Sequence, residues 1–322
     1  MHIKFLKFLV DPATKEPLHL EIIKRDGDLI ESGVLKSTAD EYPIVRGVPR
    51  FSGYKFDPYV ASFGYQWKKW SKVQFESENV GQPMQGHTLR MWERITGVQS
   101  DLSQQVVLDI GCGSGRFIEI ARRKGAGVIG IDYSRAVEAA AENFSDDPDV
   151  CVCQADVLRL PIKPSSIDGA FSIGVLHHTP SPFEGIQEAY CTIEPGGWLA
   201  ISVYGKGGYY DFPSVQAWRR LFNFLWPLFK HYPPLLYSYA TVYGLRPIAF
   251  LPFFGKAVRL FLPFVKLPDI RWSLLDTFDS ITPSYQSAHE SYEVFQWLKK
   301  CGFVNIEPTD WGFTSYRGAK PS

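Results

Sequence analysis

The stretch 106-VVLDIGCGSGRF-117 decides how this chain is read. It opens with β-formers around an acid, Asp109, and continues with glycines at 111, 113 and 115. Glycine weakens a strand or its end unless the backbone must turn sharply or something must approach it closely. A strand, a glycine turn and the free N–H groups of a helix start together make a ligand cradle. Arg116 stands where a dinucleotide fingerprint needs its third glycine. Asp109 would repel a pyrophosphate and suits a cationic ligand head.

Outward from this loop the pattern alternates. QQVVLDI, GVIGIDYS, VCVCQADV, IDGAFSIGV and GGWLAISVYG read as strands. SGRFIEIARRKGA, RAVEAAAENF and PFEGIQEAYCTI read as helices. Strands alternating with helices over 104–204 predict an α/β fold, a parallel sheet with helices on both faces. Asp132 ends the second strand, about 20 residues after the glycines, where a ribose-binding acid belongs. Asp156 ends the third, although as a single residue it could equally cap a helix. Three acids at successive strand ends share the carboxyl edge of the sheet, where open α/β sheets bind ligands.

In order, VVLDIGCGSGR, VIGIDYS, QADVLRLP, SIDGAFSIGVLHHTPSP and IEPGGWLAISVY resemble the class I S-adenosylmethionine-dependent methyltransferases of the small-molecule type, methyltransferase domain 11-like. The resemblance covers about 104–204. It implies a Rossmann-like sheet of seven mostly parallel strands and S-adenosylmethionine as cofactor, with S-adenosylhomocysteine as product. Carried over by position, Gly111 and Gly113 approach the methionine moiety and Asp109 sits near its amino group. Asp132 accepts the ribose hydroxyls, Asp156 bonds the adenine amino group and Val157 packs on the ring. Ser172, Ile173 and Gly174 line the sulfonium side, and Cys112, Gly115 and Tyr133 complete the set.

Transfer from a sulfonium needs alignment and an acceptor relieved of its proton. His178 is the first candidate base and His177 the second, since histidine is poised near neutral pH. The alternative is that both are loop residues before the Pro180/Pro182 turn. Gln66, Trp67 and Trp70 are candidate lid residues, or ordinary packing at helical spacing. Asp279, Tyr285 and His289 lie in a polar loop that either touches acceptor or only connects elements. Arg116 is expected to face the sheet edge or a carboxylate rather than take part in chemistry.

Before the core, 1–55 reads as a small β subdomain. LVDPATKEPL and YPIVRGVPRF resemble the zinc-ribbon module related to the Trm112 activators. Asp11 and Thr14 stand at its first cysteine positions and Ser32 and Thr38 near the second, so no metal is expected. Residues 56–103 read as a helical lid or linker. Residues 205–272 form an aromatic-rich, proline-studded helical insertion punctuated by Arg219, Arg220, Lys230, Lys256 and Arg259. It is open between a cap on the acceptor pocket, a homodimer interface and a membrane-surface contact. Residues 273–322 close the sheet.

Lys+Arg equals Asp+Glu at 34 each, which argues against a nucleic-acid partner. Five cysteines without framework spacing point to a reducing compartment, the cytoplasm, and no segment is long enough for an integral membrane span. The expected acceptor is therefore a small molecule, apolar or glycan- or lipid-linked, methylated at oxygen. The Asn/Asp-Pro-Pro-Tyr run associated with base N-methylation is absent. The rivals are a catalytically silent scaffold or activator and a nucleotide-dependent oxidoreductase.

Overall fold

The computed structural model describes residues 1–52, 60–246, 258, 260–312 and 314–322. Lys256 and Arg259 lie outside them. The apolar runs that flank the glycine loop become central strands because neither of their faces meets water. β5 (Val106–Ile110) lies between β6 (Gly127–Asp132) and β8 (Ile167–Ile173), all parallel. β7 (Val150–Gln154) extends one side and β9 (Ile193–Ser202) the other. β11 (Ser315–Ala319) and β10 (Val304–Pro308) add antiparallel strands beyond β9. The order is β10-β11-β9-β8-β5-β6-β7, a seven-stranded, mostly parallel Rossmann-like sheet.

Helices cover both faces. α3 (Arg116–Arg123) starts where the loop ends, and α4 (Ala136–Asn143) follows β6. α5 (Pro182–Thr192) begins with proline in its first turn and a Ser181 side chain accepting from the Glu184 N–H. Leu108, Ile129, Ile131, Ile186 and Leu199 fill one layer, and Val107, Ile118, Val128 and Phe171 the other.

The N-terminal segment forms an antiparallel sheet of β1 (His19–Asp26), β2 (Leu29–Lys36), β3 (Glu41–Val45) and β4 (Val48–Pro49). Met1, Phe5, Leu9 and Leu35 pack into the same apolar cluster as Leu108 and Cys151, so its core is shared with the main sheet. Asp11 is the knot of the segment. Its carboxylate accepts from Ala13 and Thr14 N–H (2.8 and 2.9 Å), Ser37 Oγ (2.5 Å) and Tyr42 OH (2.9 Å). Burial pushes this carboxyl up, but the four bonds outweigh that and hold it at about 2.

α1 (Ala61–Lys69) and α2 (His87–Thr96) precede β5. The insertion contributes α6 (Pro213–Phe229), α7 (Tyr232–Tyr239) and a π-helical turn at Ala240–Leu245. α8 (Ile270–Ile281) follows, then α9 (Ser291–Cys301). Trp70, Val242, Phe264, Leu274, Leu275 and Phe278 form a third apolar cluster that ties the insertion to α1 and α8. No described helix is long and apolar enough to cross a membrane.

Candidate active site

β5, β6 and β8 all end at one sheet edge, and above it lies a cavity of about 560 Å³. Its floor is the glycine loop. Gly111, Cys112, Gly113, Asp132, Tyr133, Asp156, Val157, Ile173 and Gly174 all line it. Asp132 is fixed by the Gly113 N–H (2.9 Å) and by the N–H and hydroxyl of Ser134 (2.8 and 2.7 Å). Burial raises its pKa, and those donors pull part of the shift back. Asp156 accepts from the Leu158 N–H at 2.9 Å. Gly174 has φ +78°, and a side chain there would project into open space.

Four of the expected residues do not reach the wall. Ser172 sends its hydroxyl to the Ile110 carbonyl (3.0 Å), because strand alternation turns it toward β5. Gly115 starts α3, and a Cβ there would meet Phe144 at 2.4 Å, so it serves packing. Asp109 lies within the sheet layer, where one carboxylate oxygen, Oδ2, finds no partner. Burial and the Asp132 charge both push its pKa well up. His177 is buried against Tyr204, ring centroids 3.6 Å apart, and takes the Tyr204 N–H on Nδ1 (3.3 Å).

These features fit S-adenosylmethionine. Asp132 retains acceptor capacity at the cavity wall, and the space above Gly174 is one that a Cβ would fill.

His178 does line the cavity. Its Nδ1 lies 3.0 Å from the Tyr285 carbonyl, which only accepts, so Nδ1 carries the hydrogen and Nε2 the lone pair. Burial lowers its pKa to about 4, which makes it a weak proton acceptor near neutrality. Gln66, Trp67, Tyr285 and Asp279 also line the cavity, whereas Trp70 joins the third cluster. His289 stands outside it, between Ser287 and Glu293.

Sequence reasoning missed the far wall. It comprises Gln74, His87, Tyr204, Tyr210, Trp311 and three residues of α8: Trp272, Leu275 and Asp276. The signal was present, because 272, 275, 276 and 279 fall at i, i+3, i+4 and i+7, one helical face. Gln66 Nε2 donates to Asp279 Oδ1 (2.7 Å), and Gln74 Nε2 to Asp276 Oδ1 (3.3 Å). Burial and the neighbouring Asp279 raise the Asp276 pKa to about 7, against the opposing pull of Arg116. Arg116 lines the same chamber, its Nη atoms on Gln74 and Met91, and burial lowers its pKa to about 10 against the pull of Asp276, Asp109 and Asp279.

The family model described as a methyltransferase domain matches residues 108–201. A tRNA U34 carboxymethyltransferase from Methylococcus capsulatus is 34% identical over 48% of this chain and 49% of its own length. Another, from Pseudoalteromonas atlantica, is 30% identical over 42% of this chain and 43% of its own. The chain thus spans about half the length of the curated relatives it matches. A solved putative S-adenosylmethionine-dependent methyltransferase from Methanococcus maripaludis is 18% identical, covering 84% of this chain and 97% of that one at TM-score 0.45. Two expectations are corrected by these relatives, which carry a tRNA modification in their names: O-methylation of a small apolar or glycan/lipid-linked acceptor, and the absence of a nucleic-acid partner. The physical error was to use net charge as a test of partner. A sum of zero says nothing of how the charges are distributed.

Proposed function

We propose, from the premise that this chain carries a class I S-adenosylmethionine-dependent methyltransferase domain, that it methylates a nucleoside of tRNA. S-adenosylmethionine supplies an activated methyl carbon on its sulfonium. The chain supplies the alignment. Asp132, Asp156, Val157 and the backbone of Gly111 to Gly113 hold the cofactor, with Gly174 leaving room for it.

The observation that carries the reading is the wall opposite the glycine loop. Trp272, Trp311, Tyr204 and Tyr210 share it with hydrogen-bonding acids. A base taken out of its stack needs flat apolar surfaces and polar groups for its edge, and such a wall offers both. The transferred group is read as methyl rather than carboxymethyl. A further carboxylate would sit beside Asp276 and Asp279 with Arg116 the one arginine or lysine among the described lining residues to offset all three. The five free cysteines and the tRNA acceptor are both consistent with the cytoplasm.

The test is incubation with methyl-labelled S-adenosylmethionine and total tRNA, followed by nuclease digestion and mass spectrometry of the nucleosides. Label in one modified nucleoside, lost in Asp132→Ala, supports the reading. A protein that binds S-adenosylhomocysteine but leaves tRNA unlabelled overturns it.

A further inference from the structure

The wall opposite the glycine loop has an excess of acceptors. Asp276 and Asp279 both belong to the cavity and rise from one face of α8. Gln66 is fully buried beside them. Its amide nitrogen is committed to Asp279, and its Oε1 has no partner. Arg116, the cation that faces them, directs its Nη atoms to Gln74 Oε1 (2.5 Å) and Met91 Sδ (2.9 Å). Two carboxylates, each partly open to the cavity, and an orphaned carbonyl oxygen therefore share a chamber in which Arg116 Nε is a buried donor without a partner. Buried acceptors without donors are costly, and burying carboxylates is costlier still. A ligand that brings donors and positive charge relieves both costs. The rings of Trp272, Tyr204 and Tyr210 add faces that attract cations.

We infer that this wall is the acceptor subsite and that it takes a nitrogen nucleophile, an amino group that enters as a cation and gives its proton to Asp276. The inference rests on the tRNA reading only for the molecule that carries the amino group. In the step, an N–H bond breaks and its electron pair stays on nitrogen as a lone pair, which would form the new C–N bond to the methyl carbon as the C–S bond breaks, its pair leaving on the sulfur of S-adenosylhomocysteine. An O–H bond forms on Asp276, and no oxidant or reductant is needed. Asp279 keeps its hydrogen bonds from Gln66 and Tyr204 (3.5 Å) and holds the ammonium beside Asp276. The groups that face Asp276 are Asp279 on α8, Arg116 on α3, His87 on α2, Gln74, Tyr204 and Tyr210. Its pKa of about 7 matches a base that works near neutrality. His178, at about 4, does not.

The test titrates the full chain, saturated with S-adenosylhomocysteine, with 2-phenylethylammonium and with neutral 2-phenylethanol near neutral pH. The ammonium is expected to bind at least about tenfold tighter, roughly 1.4 kcal/mol. Asp276→Asn and Asp279→Asn should each remove that preference while S-adenosylhomocysteine still binds. Equal affinities, no measurable ammonium binding, or a preference that survives both substitutions overturns the inference. The two readings fail separately. Unlabelled tRNA with the ammonium preference intact sinks only the tRNA proposal. Labelled tRNA whose new methyl sits on oxygen or carbon sinks only the nitrogen acceptor.

Discussion

Gln66 and Asp279 meet at 2.7 Å, the amide of one donating to the carboxylate of the other, and this bond fastens α1 to α8 across the cavity. Gln66→Ala would leave a buried carboxylate without its best donor. The expected cost is about 1–3 kcal/mol of stability, read as a lower midpoint in urea unfolding. A midpoint equal to wild type would show that solvent reaches Asp279 freely.

The cofactor assignment makes Asp132 the residue to remove. Asp132→Ala deletes the acid at the end of β6 and its bond from the Gly113 N–H. S-adenosylhomocysteine affinity is expected to fall by about 10²-fold or more, on the scale of two charge-assisted hydrogen bonds. Calorimetric titration of the folded variant measures this.

Two glycines of left-handed φ separate site from scaffold. Gly174→Ala places a methyl in the open space of the cavity, so cofactor binding should weaken, and its φ of +78° adds a backbone strain of about 1 kcal/mol. Gly115→Ala drives a methyl into the Phe144 ring, so stability should drop by about 1–3 kcal/mol while the cavity wall is untouched. Thermal melts and cofactor titrations of the pair, run side by side, check the division of roles.

Asp276 makes stability depend on pH. Its folded pKa, about 7, lies above the unfolded value near 3.8. The folded state therefore holds a proton that the unfolded state has released between those limits, and stability must fall as pH rises from 4 to 7. Asp276→Asn removes this slope and should be more stable than wild type at pH 8, by about 2–4 kcal/mol. Unfolding curves at pH 5 and pH 8 test the sign, and equal differences at the two pH values would refute it.

Asp11 works in the opposite direction. Its folded pKa, about 2, lies below the unfolded value, so its contribution is present above pH 4 and lost as pH falls toward 2. Asp11→Ala should cost about 1–2 kcal/mol at neutral pH and little at pH 2.

The chain's local pattern determined the sheet and the donor half of the site. Strand, glycine turn and helix recur within about 20 residues, and each acid sits at a strand end fixed by its own neighbours. The pattern itself placed Gly111, Gly113, Asp132 and Asp156 at the carboxyl edge, whereas Gly174 was expected only from the family resemblance. Tertiary structure decided what spacing could not. It turned Ser172 away, gave Gly115 to Phe144 and lowered the His178 pKa by burial. It also brought Gln66 and Asp279, 213 positions apart, to a single hydrogen bond. The wall that selects the acceptor is assembled from α1, α2, α8 and the strand-end tyrosine Tyr204. The raised pKa of Asp276 comes first from desolvation, which is a property of the packed chamber and of no single segment.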